Sequence, residues 1–191
     1  MAYLAQRLLT IADYSLLDED EQRRFELVEG NLVTAPSPTP RHAIASKRLA
    51  NQLDPHVPPG LELIPDIDID MQLTPPEEPG WARRPDLFVV DRAELDRVEA
   101  EGGIIRASAV SLVIEIVSKG SRRTDYVTKR GEYADAGIPH YWIVDLADPV
   151  SLLACHLAGA MGYVDNGEHT GTFTTTVPFP ATIDLDALTG G

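Results

Sequence analysis

The sequence is poor in cysteine and aromatic residues and has no long apolar run. Cys155 is the single cysteine, which excludes an internal disulfide and is typical of a reducing, cytoplasmic location. No apolar stretch approaches the roughly 18 residues that a transmembrane helix needs. The residues from Met1 to Arg7 also lack the basic and then apolar pattern of a signal peptide. We therefore expect a cytoplasmic protein with no membrane partner.

Basic residues are also scarce, since 16 Lys and Arg stand against 30 Asp and Glu, for a net charge of −14. This balance is unfavourable for binding phosphates and argues against a nucleic-acid partner. The basic residues are clustered, however, with five of them and one acid between Lys119 and Arg130. Smaller clusters comprise Arg41, Lys47 and Arg48, and Arg83 with Arg84. Each cluster is either a binding surface or an ordinary solvated face.

The 191 residues, 43% of them hydrophobic, predict one folded domain spanning 1–191. Its centre is an apolar, β-branched run from about Val110 to Val117, which is typical of a strand buried on both faces. A helix is predicted from Arg122 to Ala136, followed by Gly137 and Pro139 as stop signals, and then a strand at 140–145. Strand, helix and strand predict a βαβ unit with neighbouring, parallel strands.

Other patterns predict the remaining elements of an α/β (α+β) fold. They are a short helix capped by Thr10, a hairpin with its turn at Glu29 to Asn31, a helix after Pro40 that buries Ile44, Leu49 and Leu53, an alternating strand from Asp66 to Leu73, a strand from Arg84 to Val90 and a helix from Asp91 to Ala100. After Pro149 we predict a β-meander with turns at 159–162 and at Asn166-Gly167.

Glu115 lies inside the central strand, where an unpaired carboxylate would cost several kcal/mol. Asp86 begins another strand, and the helix after the central strand carries Lys129. Two acids and a backbone carbonyl, for which Ile116 is a candidate, could hold Mg²⁺. Lys129 would then stabilise charge or orient the attacking water, and Glu26 could serve as a third acid through water. The competing interpretation of every one of these residues is a structural ion pair.

Two other groups have weaker functional interpretations. Asp66, Asp68 and Asp70 could bind a hard cation, but on a strand they are more often a solvated face. Cys155 and His156 could form a Cys/His hydrolase pair, yet a cysteine in an apolar run is more often part of a core.

A series of motifs resembles the Uma2 family, whose members are similar to the PD-(D/E)xK restriction-endonuclease-like nucleases. The motifs are Phe25 to Gly30 with His42, Pro85-Asp86, Glu115-x-x-Ser118, Ser121-Arg122-Arg123, Asp125, Lys129, and Tyr133 to Asp145. The resemblance covers about residues 10 to 190. It implies a mixed β-sheet core flanked by helices, with an N-terminal hairpin and a C-terminal β-meander.

The resemblance assigns roles to particular residues. Asp86 and Glu115 match the two metal-binding acids, and Glu26 matches the N-terminal acid. Position 117 is Val, so the lysine expected two residues after the acid is missing, and Lys129 matches a lysine that has moved to the next helix. The chain departs from the family at 118–121, where Ser-Lys-Gly-Ser replaces the common Ser-Pro-Ser-Thr. Asp125 is expected to pair with a neighbouring arginine first and to serve the site second.

The function that follows is an endonuclease that uses Mg²⁺ or Mn²⁺ to hydrolyse DNA phosphodiester bonds. A homodimer is compatible with this function, since two copies of a site can cut both strands of a duplex. The alternative is a non-catalytic interaction protein that retains the nuclease fold, an idea motivated by the net charge of −14. In either case, acids gathered without a metal repel one another, so at least one should have a raised pKa.

Overall fold

The computed structural model describes residues 7–18, 25–34, 37–118 and 120–190. The helices are α1 (Ile11–Ser15), α2 (Pro40–Leu53), α3 (Arg92–Glu101), a π-helix (Thr124–Lys129) and, directly after it, α4 (Arg130–Asp135). The strands are β1 (Phe25–Val28), β2 (Asn31–Thr34), β3 (Leu61–Pro65), β4 (Ile69–Asp70), β5 (Ala82–Arg83), β6 (Leu87–Asp91), β7 (Ile105–Arg106), β8 (Val110–Val117), β9 (His140–Asp145), β10 (Ser151–Leu157), β11 (Tyr163–Thr170), β12 (Thr172–Thr175) and β13 (Ala181–Asp184).

The main sheet is mixed, as predicted. Across the described residues its strands follow the order β11-β10-β9-β8-β6-β3. β8 and β9 are parallel neighbours joined by the π-helix and α4, which confirms the predicted βαβ unit. Every other neighbouring pair in this sheet is antiparallel. The predicted α+β fold with a mixed sheet flanked by helices is therefore confirmed.

β8 lies in the interior of the sheet and is covered on both faces. Its residues Leu112, Ile114 and Ile116 join the core that includes Leu49 and Leu53 of α2. The alternate residues Val113 and Val117 join the core on the opposite side, which includes Tyr133 and Tyr141. Because side chains alternate along a strand, Glu115 is directed to the second face, towards α4. The fold thus buries a carboxylate beside the βαβ helix.

A second, smaller sheet places the N-terminal hairpin next to this face. β1 pairs with β2 as the predicted hairpin and with β5 on its other side. α1 begins at the predicted cap, where the Thr10 hydroxyl accepts from the Asp13 amide and Asp13 bonds back to Thr10. This sheet brings Glu26 of β1 and Arg83 of β5 towards α4.

The predicted strand from Asp66 to Leu73 is wrong. Regular pairing covers only Ile69–Asp70, and both Asp66 and Gln72 have a positive φ of 53°. Asp68, expected on a wet face, is buried because Arg84 binds it, whereas Ile67 is exposed. The longer strand β3 precedes this segment and was missed.

The C-terminal meander is confirmed in part. β10 and β11 continue the main sheet, but Asn166-Gly167 is a bulge opposite Ala154 and not a turn. β12 pairs with β13, a strand that was not predicted, and this hairpin packs beside α2. Ile44 of α2, expected on the buried face, is exposed, as is Val127 of the π-helix. Within the described ranges, no helix has the length and apolarity to cross a membrane.

Candidate active site

The site lies at the start of β6, where β8 continues past it. Leu87 of β6 pairs with Ile114, so Ile116 extends beyond the start of β6. Asp86 takes the place of a strand partner, because its Oδ2 accepts from the Ile116 amide at 2.6 Å. His42 of α2 completes the arrangement, with Nε2 3.0 Å from the Ile116 carbonyl oxygen and 3.1 Å from Asp86 Oδ2. A carboxylate, an imidazole and a backbone carbonyl therefore meet at one point.

The charge of Asp86 acts on His42. The hydrogen bond to Asp86 raises the pKa of His42 above its usual range, against the opposing effect of burial. A carbonyl oxygen can only accept, so the bond to Ile116 requires the proton to be on Nε2. The imidazole of His42 is thus a donor at the edge of β8.

Glu115 lies next to this point and is 4% exposed. Its Oε1 accepts from Lys129 Nζ at 2.8 Å and from the Tyr133 hydroxyl at 2.7 Å. Burial raises the pKa of Glu115 above its usual range although the Lys129 ammonium opposes this, and the negative charge of Asp86 adds to the rise. The expected raised pKa among the gathered acids is confirmed here.

Lys129, at the end of the π-helix, connects Glu115 with Glu26. Its Nζ is 3.3 Å from Oε1 of Glu26, and both side chains are at most 10% exposed. Burial alone would lower the pKa of the Lys129 ammonium, but Glu115 and Glu26 outweigh burial and raise it. Burial likewise disfavours the Glu26 carboxylate, yet Lys129 and Arg83 hold the pKa of Glu26 below its usual range. Lys129 and Glu26 are accordingly both charged.

Arg83 holds Glu26 against α4. Its Nη1 donates to Glu26 Oε2 at 2.7 Å, and its Nε and Nη2 donate to the two carboxylate oxygens of Glu132, each at 2.7 Å. Glu132 lies one helical turn after Lys129, so this clamp fixes the helix segment that carries the lysine. The Arg84 amide adds a bond to Glu26 Oε1 at 3.2 Å.

Asp125 belongs to the same neighbourhood. It is buried within the π-helix, and its Oδ2 accepts from the Ser121 hydroxyl at 2.5 Å. Burial raises the pKa of Asp125, with Ser121 and Lys129 opposing and the charges of Asp86 and Glu26 adding to the rise. The expected arginine partner is replaced by a serine hydroxyl. Asp125 is therefore a further acid beside Lys129.

Part of the predicted basic segment is engaged in ion pairs of its own. Arg122 pairs with Asp145, and its guanidinium lies 4.7 Å from the centre of the Tyr126 ring. Arg130 donates to Asp165 at 2.8 Å. Lys119 lies outside the described residues. The cationic charge near the site is hence partly balanced by acids of β9 and β11.

Cys155 and His156 do not form a catalytic pair. They are successive residues of β10 and point to opposite faces, Cys155 into the core and His156 to the surface. Burial raises the pKa of the Cys155 thiol to about 11, which makes it a poor nucleophile. The core interpretation of this cysteine agrees with the structure.

The fit of a divalent cation can be judged from the donor atoms. Within the described part of the chain, no three His, Cys, Asp or Glu side chains form a ready-made metal-binding group. Hard cations, however, also accept backbone carbonyls and water. The hydrogen bonds to Asp86 and Glu115 use Oδ2 and Oε1, so the other oxygen of each carboxylate is not used by them. With the Ile116 carbonyl, these oxygens have the chemistry that Mg²⁺ or Mn²⁺ requires.

Sequence reasoning gave no role to three residues that shape this site. His42 is a polar residue on the buried face of α2, which it shares with Ala45 and Leu49, and this burial pattern is a usable signal. Tyr133 was noted only as the first residue of a family motif, and its hydroxyl bond to Glu115 has no signature in the sequence. Arg83 was grouped with a surface cluster, because a cation on a two-residue strand gives no indication of burial.

Comparison with known proteins identifies the family. The Uma2 family model, described as "Putative restriction endonuclease", matches residues 11–170. Among solved structures, a crystal structure of a "putative nuclease belonging to DUF820" from Anabaena variabilis has a similar fold, with a TM-score of 0.64 and 18% sequence identity over 89% of each chain. No curated protein matches the sequence. Because the family model covers most of the chain, this protein belongs to the Uma2 family.

Proposed function

We propose that this protein is an endonuclease that hydrolyses phosphodiester bonds of DNA with the help of Mg²⁺ or Mn²⁺. The observation that carries the proposal is the convergence of Asp86, Glu115 and Lys129 from three different elements, with Nζ of Lys129 2.8 Å from Glu115. A βαβ unit needs no such acid and lysine in its interior. The family's description and the name of the similar solved structure point in the same direction.

Asp86, Glu115 and the Ile116 carbonyl would hold the cation. When bound, a divalent cation polarises the scissile phosphoryl group and makes a coordinated water more acidic. Glu26 acts on the reaction through Lys129, because its carboxylate is occupied by Arg83, Arg84 and the lysine itself. In this assignment Glu26 keeps Lys129 charged and in place.

Lys129 would position the attacking water or stabilise the charge that develops on the phosphate. An ammonium group has three N–H donors, and Glu115 and Glu26 lie beside it on two sides. The remaining donor can reach a water or a phosphate oxygen. Tyr133 fixes Glu115 through its hydroxyl, so the carboxylate and the ammonium keep one geometry.

The net charge of −14 requires that DNA binding be local. On the segment 121–130, Arg122 and Arg130 pair with Asp145 and Asp165, and Arg123 is exposed. Binding through few cations predicts a modest affinity with a shallow salt dependence. We also propose that two copies act together when both strands of a duplex are cut.

The test is a plasmid-nicking assay with Mg²⁺ or Mn²⁺, run beside calorimetric metal titrations. The variants are Asp86→Asn and Glu115→Gln, and Asp96→Asn on the exposed face of α3 is the control. Nicking and metal binding should fall at least about a hundredfold in the first two and stay unchanged in the control. Folding is checked by thermal denaturation. Nicking that persists in both site variants would contradict the proposal.

A second candidate is a non-catalytic interaction protein that retains this fold. The observation in its favour is that Lys129 already balances Glu115, so the acid does not depend on a metal for its partner. This candidate predicts no divalent-metal binding, with or without a short DNA duplex. A metal site that Asp86→Asn removes would eliminate it.

A further inference from the structure

The imidazole of His42 lies beside two of the proposed metal ligands, Asp86 and the Ile116 carbonyl, but has no role in the proposed site so far. It is 8% exposed and lies on the first turn of α2, where the Thr39 hydroxyl caps the helix by accepting from the His42 amide. The rest of the buried face of this helix is apolar, namely Ala45, Leu49 and Leu53. A polar ring placed at the end of an apolar stripe is directed at the acids of the site.

The distances around Nε2 match those within a coordination shell. Nε2 is 3.0 Å from the Ile116 carbonyl oxygen and 3.1 Å from Asp86 Oδ2, which becomes available to a cation when its bond to His42 is replaced. Adjacent ligand atoms of an octahedral ion with bonds of about 2.1 Å lie about 3.0 Å apart. The same distances suit hydrogen bonds, which is how the three atoms interact in this structure. For a cation to take the place of these hydrogen bonds, Nε2 must give its proton up to solvent, and the neutral ring must then carry its proton on Nδ1.

We propose that His42 is a further ligand of the divalent cation and binds it through Nε2 beside Asp86 and the Ile116 carbonyl. This inference rests on the proposed metal-dependent function and refines it. An imidazole nitrogen is a poor ligand for Mg²⁺ but a good one for Mn²⁺, Co²⁺ and Zn²⁺. His42 would thus bias the site towards the transition metals, and Mn²⁺ would be preferred to Mg²⁺.

Pulsed electron paramagnetic resonance of the full-length protein loaded with Mn²⁺ tests the ligand directly. A bonded imidazole gives a nitrogen coupling, and that coupling changes when the histidines carry the heavy nitrogen isotope. His42→Gln keeps an amide donor for the Ile116 carbonyl but has no ring nitrogen. His56→Gln, at an exposed histidine after α2, is the matched control.

We expect the coupling in the wild type and in His56→Gln and its loss in His42→Gln. Calorimetry should show that His42→Gln weakens Mn²⁺ binding about tenfold or more and Mg²⁺ binding less. Since the spectrum is taken on the wild type, the test stands even where His42→Gln folds poorly. Mn²⁺ that binds in an Asp86-dependent way without nitrogen coupling would overturn the role of His42 and leave the nuclease proposal intact. No Mn²⁺ binding, even with a DNA duplex present, would overturn both.

Discussion

Nζ of Lys129 lies 2.8 Å from Oε1 of Glu115, and this contact joins the helical segment before α4 to the central strand of the sheet. Both side chains are at most 10% exposed. A buried ion pair contributes little net stability when it is complete, but removing one partner is costly because the other charge loses its compensation. The pair is therefore as important for folding as for the proposed chemistry.

Replacing Lys129 by methionine should lower the free energy of unfolding by about 3 kcal/mol at neutral pH. The change leaves Glu115 with only the Tyr133 hydroxyl as a hydrogen-bond donor and leaves Glu26 with Arg83 and the Arg84 amide. Urea denaturation measures the difference. Lys47→Met, at an exposed position of α2, should change the value by less than about 0.5 kcal/mol. Equal effects of the two variants would contradict the importance of the buried pair.

Arg83 should be even less replaceable, since it holds two buried acids on different elements. Arg83→Met would leave Glu132 without its two hydrogen bonds from the guanidinium and Glu26 without one. We expect a loss of about 3–5 kcal/mol in the free energy of unfolding. Arg92→Met is the matched control, because Arg92 also pairs with an acid, Glu62, but at the surface. That exposed pair should contribute less than about 1 kcal/mol.

Glu115 and Arg83 show what the sequence could and could not predict. The βαβ unit could be predicted because hydrophobic periodicity and stop signals are local features of the sequence. The signals were the run from Val110 to Val117, the helix signals after it and the strand at His140–Asp145. Glu115 was recognisable for the same reason, as a charge inside an apolar run. Arg83 gave no such signal, because its burial depends on Glu26 and Glu132, which lie far from it in the chain.

Errors in the predicted elements have the same origin. Asp68 alternates with apolar residues and was expected to face water, but Arg84 pairs with it in the interior and the strand pattern is interrupted. Asn166-Gly167 has the composition of a hairpin turn, yet β10 pairs with residues on both sides of it, so the extra residue becomes a bulge. In both cases a long-range contact outweighed a correct local preference.

Glu94 makes the stability of the protein depend on pH in the acid range. Burial disfavours the charged carboxylate, but hydrogen bonds from Arg97 and Arg106 outweigh burial and lower the pKa of Glu94 to about 2. A carboxyl whose pKa is lower in the folded than in the unfolded state stabilises the fold above its unfolded pKa, and this contribution disappears as pH falls through the folded pKa. The relevant window therefore runs from about pH 4.5 down to about pH 2.

Glu94→Gln should lower the free energy of unfolding by about 1–2 kcal/mol near neutral pH, a value reduced by the half-exposed position of Arg106. The difference from the wild type should shrink below about pH 4.5 and approach zero near pH 2. Urea denaturation at a series of pH values measures it. Glu99→Gln, exposed on the same helix, should show no such trend. A difference that stays constant down to pH 2 would exclude this role for the Glu94 charge.

Two glycines should respond to alanine in opposite directions. Gly30, in the turn between β1 and β2, has a φ of +71°, and an added Cβ would lie 2.8 Å from Leu8 Cβ and 2.9 Å from Pro79 Cβ. Gly30→Ala therefore combines backbone strain with a clash and should destabilise the fold by about 1–3 kcal/mol. It should also disturb the hairpin that carries Glu26, so any nicking activity should fall with stability.

Gly131 lies within α4, two residues after Lys129, and an added Cβ would meet no heavy atom within 4 Å. Alanine there lowers the entropy of the unfolded chain without a contact to disturb, so Gly131→Ala should raise the free energy of unfolding by about 0.5–1 kcal/mol. Thermal and urea denaturation of both variants provide the comparison. A stabilising Gly131→Ala variant that keeps its metal affinity would show that the helix holds Lys129 in its functional position without needing the flexibility of glycine. A loss of stability would mean that the junction between the π-helix and α4 depends on glycine at this position.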